Sequence, residues 1–420
     1  MPGLQPVRGT QDLLPDAARR HRQVRETARR LAALYGFAEI DIPIFEFTEV
    51  FARPIGEHTD IVAKEMYSLE DRGGEKLSLR PEFTAGVVRA VLSNSLTQST
   101  PLKFFSTGPV FRYERPQKGR FRQFHQINCE LLGVPQAQAD IEVIALAHRI
   151  LRELGIGDRV VLELNTLGDP GSRAAYRGAL VAYFSSRRAE LSEDSQRRLD
   201  SNPLRILDSK DSGDIRLNTD APAFDLYLND ESRDFFAQVR DGLERLGIAY
   251  RLNPRLVRGL DYYSHTVFEF VTTDLGAQGT VLAGGRYDGL VELMGGPSMA
   301  GVGWAAGIER LALLIAEPPT PARPIALVPM GDAGETIALT IAETLRGEGF
   351  AVDVGYSGNL SRRMRRANRV NARAAVLIGE DEVARNVVTF RDLDSGEQAE
   401  IPIVASTLPE LVQRLKALDA

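Results

Sequence analysis

Cysteine is almost absent: Cys129 is the only one in 420 residues. A single thiol excludes a disulfide framework and a cysteine-based zinc site within the chain. The five histidines are scattered and include no H-E-x-x-H pair. There is no Gly-Lys dipeptide, hence no P-loop, and no G-x-G-x-x-G fingerprint. No apolar run approaches the roughly 20 residues of a membrane span. The start, Met1-Pro2-Gly3, lacks the basic and then apolar layout of a signal peptide. These absences predict a cytoplasmic protein with no membrane partner. Strong charge of one sign is missing too. With 51 basic and 57 acidic side chains, the formal net charge is −6. That argues against indiscriminate coating of nucleic acid but leaves room for local basic patches.

What is present is ordinary globular composition, 43% apolar and 26% charged, in a chain long enough for two or three domains. Residues 17–35 predict an amphipathic helix, with Val24, Ala28, Leu31 and Tyr35 on one stripe and Gly36 ending it. A strand over 39–44 is expected next, with Ile40, Ile42 and Ile44 on one face. Two strands, 104–114 and 122–132, flank the turn Arg115-Pro116-Gln117-Lys118-Gly119-Arg120 and imply an antiparallel hairpin. A helix over about 138–154 follows. Residues 168–252 are helical and polar, which marks them as an insertion between two parts of one sheet. Strand character returns at 264–272, and a glycine-rich strand enters a helix within 301–315. The proline-rich stretch 318–324 is a linker. Beyond it, strands at 325–330, 351–356 and 374–378 alternate with helices at 333–348 and 360–373, a small α/β domain. The predicted class is α+β: an antiparallel sheet core flanked by helices (1–323), carrying a helical insertion, then an α/β domain (324–420).

Chemistry concentrates in the hairpin. Period-2 geometry puts Val110, Arg112 and Glu114 on one face, and Phe124, Gln126, Asn128 and Glu130 on one face of the second strand. His125, Ile127, Cys129 and Leu131 point the other way, towards helices. Cys129 is expected to be a core thiol, His125 a satisfied structural histidine, and His148 a surface residue. Residues 112–122 hold Arg112, Arg115, Lys118, Arg120 and Arg122 against Glu114 alone, a local +4 that favours a polyphosphate. Without a P-loop, arginines on a sheet must hold those phosphates. In Arg80-Pro81-Glu82-Phe83-Thr84-Ala85-Gly86, Thr84 is placed to cap a helix and Glu82 to meet a cation.

Together these segments resemble the class II aminoacyl-tRNA synthetases, and among them the histidyl-tRNA synthetases, over essentially the whole chain. Helix 17–35 with Pro43 is similar to motif 1, Phe111-Arg112-Tyr113-Glu114 to motif 2, and Gly301 to Arg310 to motif 3. Sharper matches are Leu256-Val257-Arg258-Gly259-Leu260-Asp261-Tyr262-Tyr263 and Ala283-Gly284-Gly285-Arg286-Tyr287-Asp288-Gly289. The opening Arg8-Gly9-Thr10-Gln11-Asp12-Leu13-Leu14-Pro15 also resembles the family. Trp304 stands where phenylalanine is usual and Phe83 where glycine is frequent.

The resemblance implies a homodimer that activates L-histidine with ATP and Mg²⁺, brought in as substrate, and charges tRNA(His). No protein-bound metal is expected. It assigns Arg112 and Arg258 to catalysis. Arg112, Glu114, Arg120, Phe124 and Arg310 would bind ATP. Glu82, Thr84, Gln126, Glu130, Arg258, Tyr262, Tyr263 and Tyr287 would bind histidine. It makes 324–420 an anticodon-binding domain. Arg115 and Gln117 of the turn would touch tRNA by the same resemblance. In the second domain Arg362, Arg366, Arg369 and Arg373 form a stripe at i, i+4, i+7 and i+11, with Arg363 and Arg365 beside it and no acid in 360–373. Six cations without local counter-ions favour phosphate contact. Two rivals are a catalytically silent paralogue and a tRNA sensor that does not charge. A silent paralogue tends to lose the ATP arginines and the last domain, both of which are present here.

Overall fold

The computed structural model describes residues 3–56, 59, 61–117, 119–207, 209–257, 262–276, 279–403 and 408–418. The chain divides into two units, Met1–Pro318 and Pro319–Ala420.

In the first unit, helix α1 (Pro15–Leu34) starts on a proline, whose fixed φ and missing N–H suit the first helical position. It buries Val24, Ala28 and Leu31 as the periodicity predicts, whereas Tyr35 caps the end. The predicted strand over 39–44 is largely absent. Only β1 (Ala38–Glu39) pairs with the main sheet; the chain then passes Pro43 and joins a second, small sheet. Of the three isoleucines only Ile42 is buried. The small sheet contains β2 (Phe45–Phe47), then, after helix α2 (Thr48–Ile55), β3 (Ser68–Glu70) and β4 (Lys76–Leu79), in the order β2-β4-β3.

Helix α3 (Thr84–Ser93) leads to the hairpin β5 (Leu102–Phe111) and β6 (Gln123–Leu132). The first strand ends three residues before the expected 114, so Arg112 and Glu114 lie beyond it. Then come α4 (Ala137–Glu153) and β7 (Val161–Thr166). Four helices follow, α5 (Pro170–Ser185), α6 (Glu193–Ser201), α7 (Ser212–Thr219) and α8 (Asp230–Arg245). The chain re-enters the sheet with β8 (Tyr250–Leu252), β9 (Ser264–Val271) and β10 (Thr280–Arg286). After α9 (Leu290–Leu293), β11 (Gly301–Gly307) runs straight into α10 (Ile308–Leu314). The eight-stranded sheet has the order β1-β5-β6-β11-β10-β9-β7-β8. Its six central strands are antiparallel and its two short edge strands pair in parallel.

The sheet has two unlike faces. Ile127, Cys129, Leu131, Val302, Trp304, Leu282, Phe268, Phe270, Leu162 and Leu164 form one buried core with α1, α4, α8 and α10. Each such side chain contributes roughly 1.5–3 kcal/mol. A one-residue slip would expose them all, so the register is strongly specified. Trp304 satisfies its indole N–H on the Val143 carbonyl at 2.9 Å. The opposite face carries the polar row.

In the second unit, β12 (Ile325–Pro329), α11 (Gly331–Gly347), β13 (Val352–Val354), α12 (Leu360–Arg369) and β14 (Ala374–Ile378) realise the expected parallel α/β pattern. Helix α12 stops at Arg369, four residues short of the expected end. Helix α13 (Glu380–Ala384), strands β15 (Val387–Asp392) and β16 (Gln398–Pro402) and helix α14 (Pro409–Ala417) were not foreseen. They extend the sheet antiparallel, in the order β13-β12-β14-β15-β16. No helix among the described residues is long and apolar enough to cross a membrane.

Candidate active site

Ladder pairing arranges the polar face into rows. Gly108, Gln126 and Gly307 form one, Ser106, Asn128, Ala305, Ala283 and Glu269 the next, and Phe104, Glu130, Gly303 and Gly285 a third. On β10 and β11 these positions are glycine or alanine, so the sheet surface is open above them. Gly303 has a specific reason: a Cβ there would collide with the Glu130 carboxylate. The open surface becomes a cavity of about 400 Å³. Glu82, Thr84, Arg112, Glu114, Arg120, Phe124, Gln126, Tyr262, Tyr263 and Arg310 all line it. Ten of the side chains singled out from sequence are therefore brought together. Arg258 lies outside the described residues.

At one end of the cavity are the cations. Arg112 donates from Nε to the Pro81 carbonyl at 2.9 Å, and its guanidinium lies 5.5 Å from the Phe124 ring centre. Arg120 pairs with the buried Glu114. Arg310, from the first turn of α10, hydrogen-bonds to the Thr280 carbonyl and reaches the Gly119 carbonyl at 3.4 Å. Burial, then the nearby Arg120, push its pKa down. A site that crowds cations until one is destabilised is complementary to an anion. The turn that carries Arg120 is held by reciprocal backbone bonds between Gln117 and Arg120, with Gly119 at φ +71°. Arg115 and Gln117 are exposed on it.

At the other end are buried acids. Glu82, not Thr84, caps α3: its two oxygens accept the Thr84 and Ala85 N–H groups at 2.7 and 2.8 Å. The expected cap at Thr84 is thus corrected, because Thr84 is itself the first helical residue and its hydroxyl turns to Glu130 Oε1 at 2.6 Å. The other Glu130 oxygen accepts from the Tyr287 hydroxyl. Burial pushes the Glu130 pKa up to about 8, against the pull of its two hydroxyl donors and with help from Glu82. Burial also raises Glu82, and the two helix N–H donors oppose it. Glu130 and Tyr287 sit just behind the cavity lining, with Tyr262 and Tyr263 packed on Tyr287 at ring distances of 5.8 and 6.4 Å.

Several participants were missed from sequence. Lys210, from the loop between α6 and α7, lines the cavity, as do Glu269 and Glu309. Its loop is fixed by the buried Asp214, which accepts from Ser192, Ser195 and Ser209. No spacing pattern links Lys210 to the hairpin. Glu309 accepts the His125 backbone N–H and lies 2.9 Å from its Nδ1. With His21 these two form the one group with metal-ligand spacing found among the described residues. Hydrogen bonds already engage both His125 and Glu309. Arg286, conspicuous only as part of a motif, is fully buried on the helix side and paired with the buried Asp140. A larger groove of about 1080 Å³ lies on that helix-covered side, and its Lys103 and Glu142 already pair at 2.7 Å.

In the second unit the basic stripe is narrower than expected. Arg363 is buried and pairs with Glu335, and Arg366 makes two bonds to Asp353 at 2.7 and 2.8 Å. Arg373 lies past the helix end. The acids come from other elements, so inspection of 360–373 alone could not reveal them. Arg362, Arg365 and Arg369 remain exposed on one face.

Comparison with known proteins identifies the family and the fold. A family model described as histidyl-tRNA synthetase matches residues 9–311, and one described as anticodon binding domain matches residues 325–415. A Histidine--tRNA ligase of Rhodospirillum rubrum is 58% identical over 99% of this chain and 100% of its own length. One from Gluconacetobacter diazotrophicus is 56% identical over 97% and 98%. Among solved structures, apo S. aureus histidyl-tRNA synthetase superposes with a TM-score of 0.82 at 34% identity, covering 99% of this chain and 100% of that one.

Proposed function

The chain belongs to the histidyl-tRNA synthetase family, and we propose that its cavity joins L-histidine to ATP and then to tRNA(His). A carboxylate oxygen of histidine attacks the α-phosphorus of ATP. The bond from that phosphorus to the bridging oxygen breaks, and pyrophosphate leaves as histidyl-adenylate forms. A ribose hydroxyl of the terminal adenosine of tRNA then attacks the histidyl carbonyl, and AMP leaves. Catalysis of phosphoryl attack rests mainly on positioning and on cations at the developing charge.

Arg112 holds the α-phosphate and Arg120 the outer phosphates, leaving its pair with Glu114. Phe124 and Arg310 sandwich the adenine. Lys210 adds a cation from the helical insertion. Mg²⁺ enters with the nucleotide as part of the substrate. Arg258 neutralises the α-phosphate, by family resemblance. Glu82 and Thr84 take the substrate ammonium, with Gln126 at the carboxylate. Glu130 and Tyr263 meet the two imidazole nitrogens, backed by Tyr262 and Tyr287. Imidazole presents one donor and one acceptor. A site that pairs buried polar groups rejects analogues lacking them by roughly 10⁴–10⁵.

The carrying observation is the cavity itself: three arginines at one end of a small-residue sheet surface, and a buried, hydroxyl-bonded carboxylate at the other. The second unit binds tRNA through Arg362, Arg365 and Arg369. The chain acts as a homodimer, supported by Ile44, Phe45, Phe47 and Leu69, which are 43–58% exposed. The decisive assay is histidine-dependent exchange of pyrophosphate into ATP. A folded protein with no exchange would refute the reading.

A further inference from the structure

Three buried side chains on the cavity face of the main sheet, Gln126, Asn128 and Ser106, carry polar atoms that the protein does not satisfy. Asn128 is 1% exposed, and neither its amide oxygen nor its amide nitrogen has a hydrogen-bond partner. Ser106 lies directly across the ladder, fully buried, and its Oγ has none either. Leaving a buried donor or acceptor unpaired costs stability, because its lost hydration is not replaced. An apolar pair would fill the same space without that cost, so the polar pair calls for a ligand.

Its position indicates which part of a ligand. Successive same-face residues on a strand are about 7 Å apart, twice the rise of about 3.4 Å per residue. Asn128 therefore sits midway between Gln126 and Glu130. On the functional reading above, on which this inference rests, Gln126 stands at the substrate carboxylate and Glu130 at its imidazole. The α-carbon and its ammonium lie between them. Ala305, the β11 partner of Asn128, lines the cavity, and Asn128 sits, like Glu130, just behind that lining.

An ammonium brings three N–H donors. The Glu82 carboxylate is one acceptor. Thr84 is a second, because its hydroxyl proton goes to Glu130 and its lone pairs remain. We propose that Asn128 is the third: its amide oxygen accepts one N–H of the substrate α-ammonium, while Ser106 Oγ accepts from the Asn128 amide. The pair is the floor of the ammonium subsite, kept at a cost to the stability of the ligand-free protein.

Full-length Asn128→Ala and Ser106→Ala test this through three readouts. The first is the KM for histidine and for ATP in pyrophosphate exchange. The second is competitive inhibition by 3-(imidazol-4-yl)propanoate, which keeps the imidazole and carboxylate but lacks the ammonium. The third is the melting temperature. Asn128→Ala should raise the histidine KM about tenfold or more, the effect of losing one hydrogen bond to a charged group. The ATP KM and the inhibitor constant should stay within about twofold, and the melting temperature should hold or rise. Ser106→Ala should shift the same parameters in the same direction by less. An unchanged histidine KM, equal weakening of histidine and the analogue, or a lowered melting temperature with both KM values raised would overturn the proposal. Absence of histidine-dependent exchange in the unsubstituted protein would instead refute the functional reading itself.

Discussion

Replacing Glu130 by glutamine separates what this carboxyl does for stability from what it does for substrate. In the folded protein its pKa is raised to about 8, with burial the largest cause. In the unfolded chain it titrates near the ordinary value of about 4.3. Between those two pH values the unfolded chain has released a proton that the folded protein keeps. Stability attributable to this group therefore falls as pH rises, by about 1.4 kcal/mol per pH unit, and is fully retained only below about pH 4. At pH 7 the deficit is about 3–4 kcal/mol. Glutamine is neutral in both states and nearly isosteric. Its oxygen can accept from Thr84, and its amide can donate to the Tyr287 oxygen. Glu130→Gln should therefore melt higher than the unsubstituted protein at pH 7 and about level with it near pH 4.5. Thermal denaturation at pH 4.5, 6 and 7 reads this directly. Parallel melting curves across that range would show that Thr84 and Tyr287 hold Glu130 ionised at neutral pH, and would refute the argument. Exchange kinetics should move the other way. Losing a hydrogen bond of about 0.5–1.5 kcal/mol from the neutral carboxyl raises the histidine KM roughly 2- to 10-fold and spares the ATP KM.

Four further outcomes follow from the same geometry. Arg286→Met breaks a pair whose two side chains are both fully buried and should destabilise by about 3–5 kcal/mol; adding Asp140→Leu should recover much of the lost melting temperature, and no recovery would deny that the stranded charge is the cause. Lys210→Ala should raise the ATP KM about three- to tenfold, the effect of about 1 kcal/mol, with rescue by Lys210→Arg, and equal activity of all three proteins would remove the insertion from the nucleotide site. Phe45→Asp with Phe47→Asp should convert a dimer into a 46.2 kDa monomer in sedimentation velocity, and an unsubstituted protein that is already monomeric and active would refute the dimer. Neutralising Arg362, Arg365 and Arg369 should raise the KM for tRNA and flatten its salt dependence by about two units of slope without touching exchange, whereas an unchanged KM would remove α12 from the RNA footprint.

The parts of the molecule that could be read from sequence are those governed by local rules. Period-3.6 and period-2 patterns located α1, α4 and the β5–β6 hairpin to within a few residues, because each must bury one face. The strand over 39–44 was misread because Pro43 and a second sheet take the chain away after two paired residues, and alternation cannot show which sheet a strand joins. Strands β15 and β16 were missed because both are short and lie among charged residues. In the site, period-2 geometry grouped Gln126, Asn128 and Glu130, and family motifs supplied the rest. Lys210 carried no signal, and Glu309, though inside the segment similar to motif 3, was given no role, since the relevance of both arises only when distant segments meet in the folded core.

Charge shows most clearly why such contacts escape a linear reading. The stripe on 360–373 seemed to lack counter-ions, yet Asp353 and Glu335 reach in from β13 and α11 and engage Arg366 and Arg363. A cation already paired with a protein carboxylate must surrender that pair before it can hold a phosphate. The exposed Arg362, Arg365 and Arg369 incur no such cost. The same logic runs the other way in the catalytic cavity. Arg120 is paired with Glu114, so a polyphosphate drawn to it would have to exchange one partner for another, and the net gain is smaller than a count of cations implies. Arg310, whose pKa is pushed down by burial and then by Arg120, gains from an arriving anion. The number of basic residues near a site therefore overstates its attraction for phosphate, and the partners each one must release decide how much of that attraction remains.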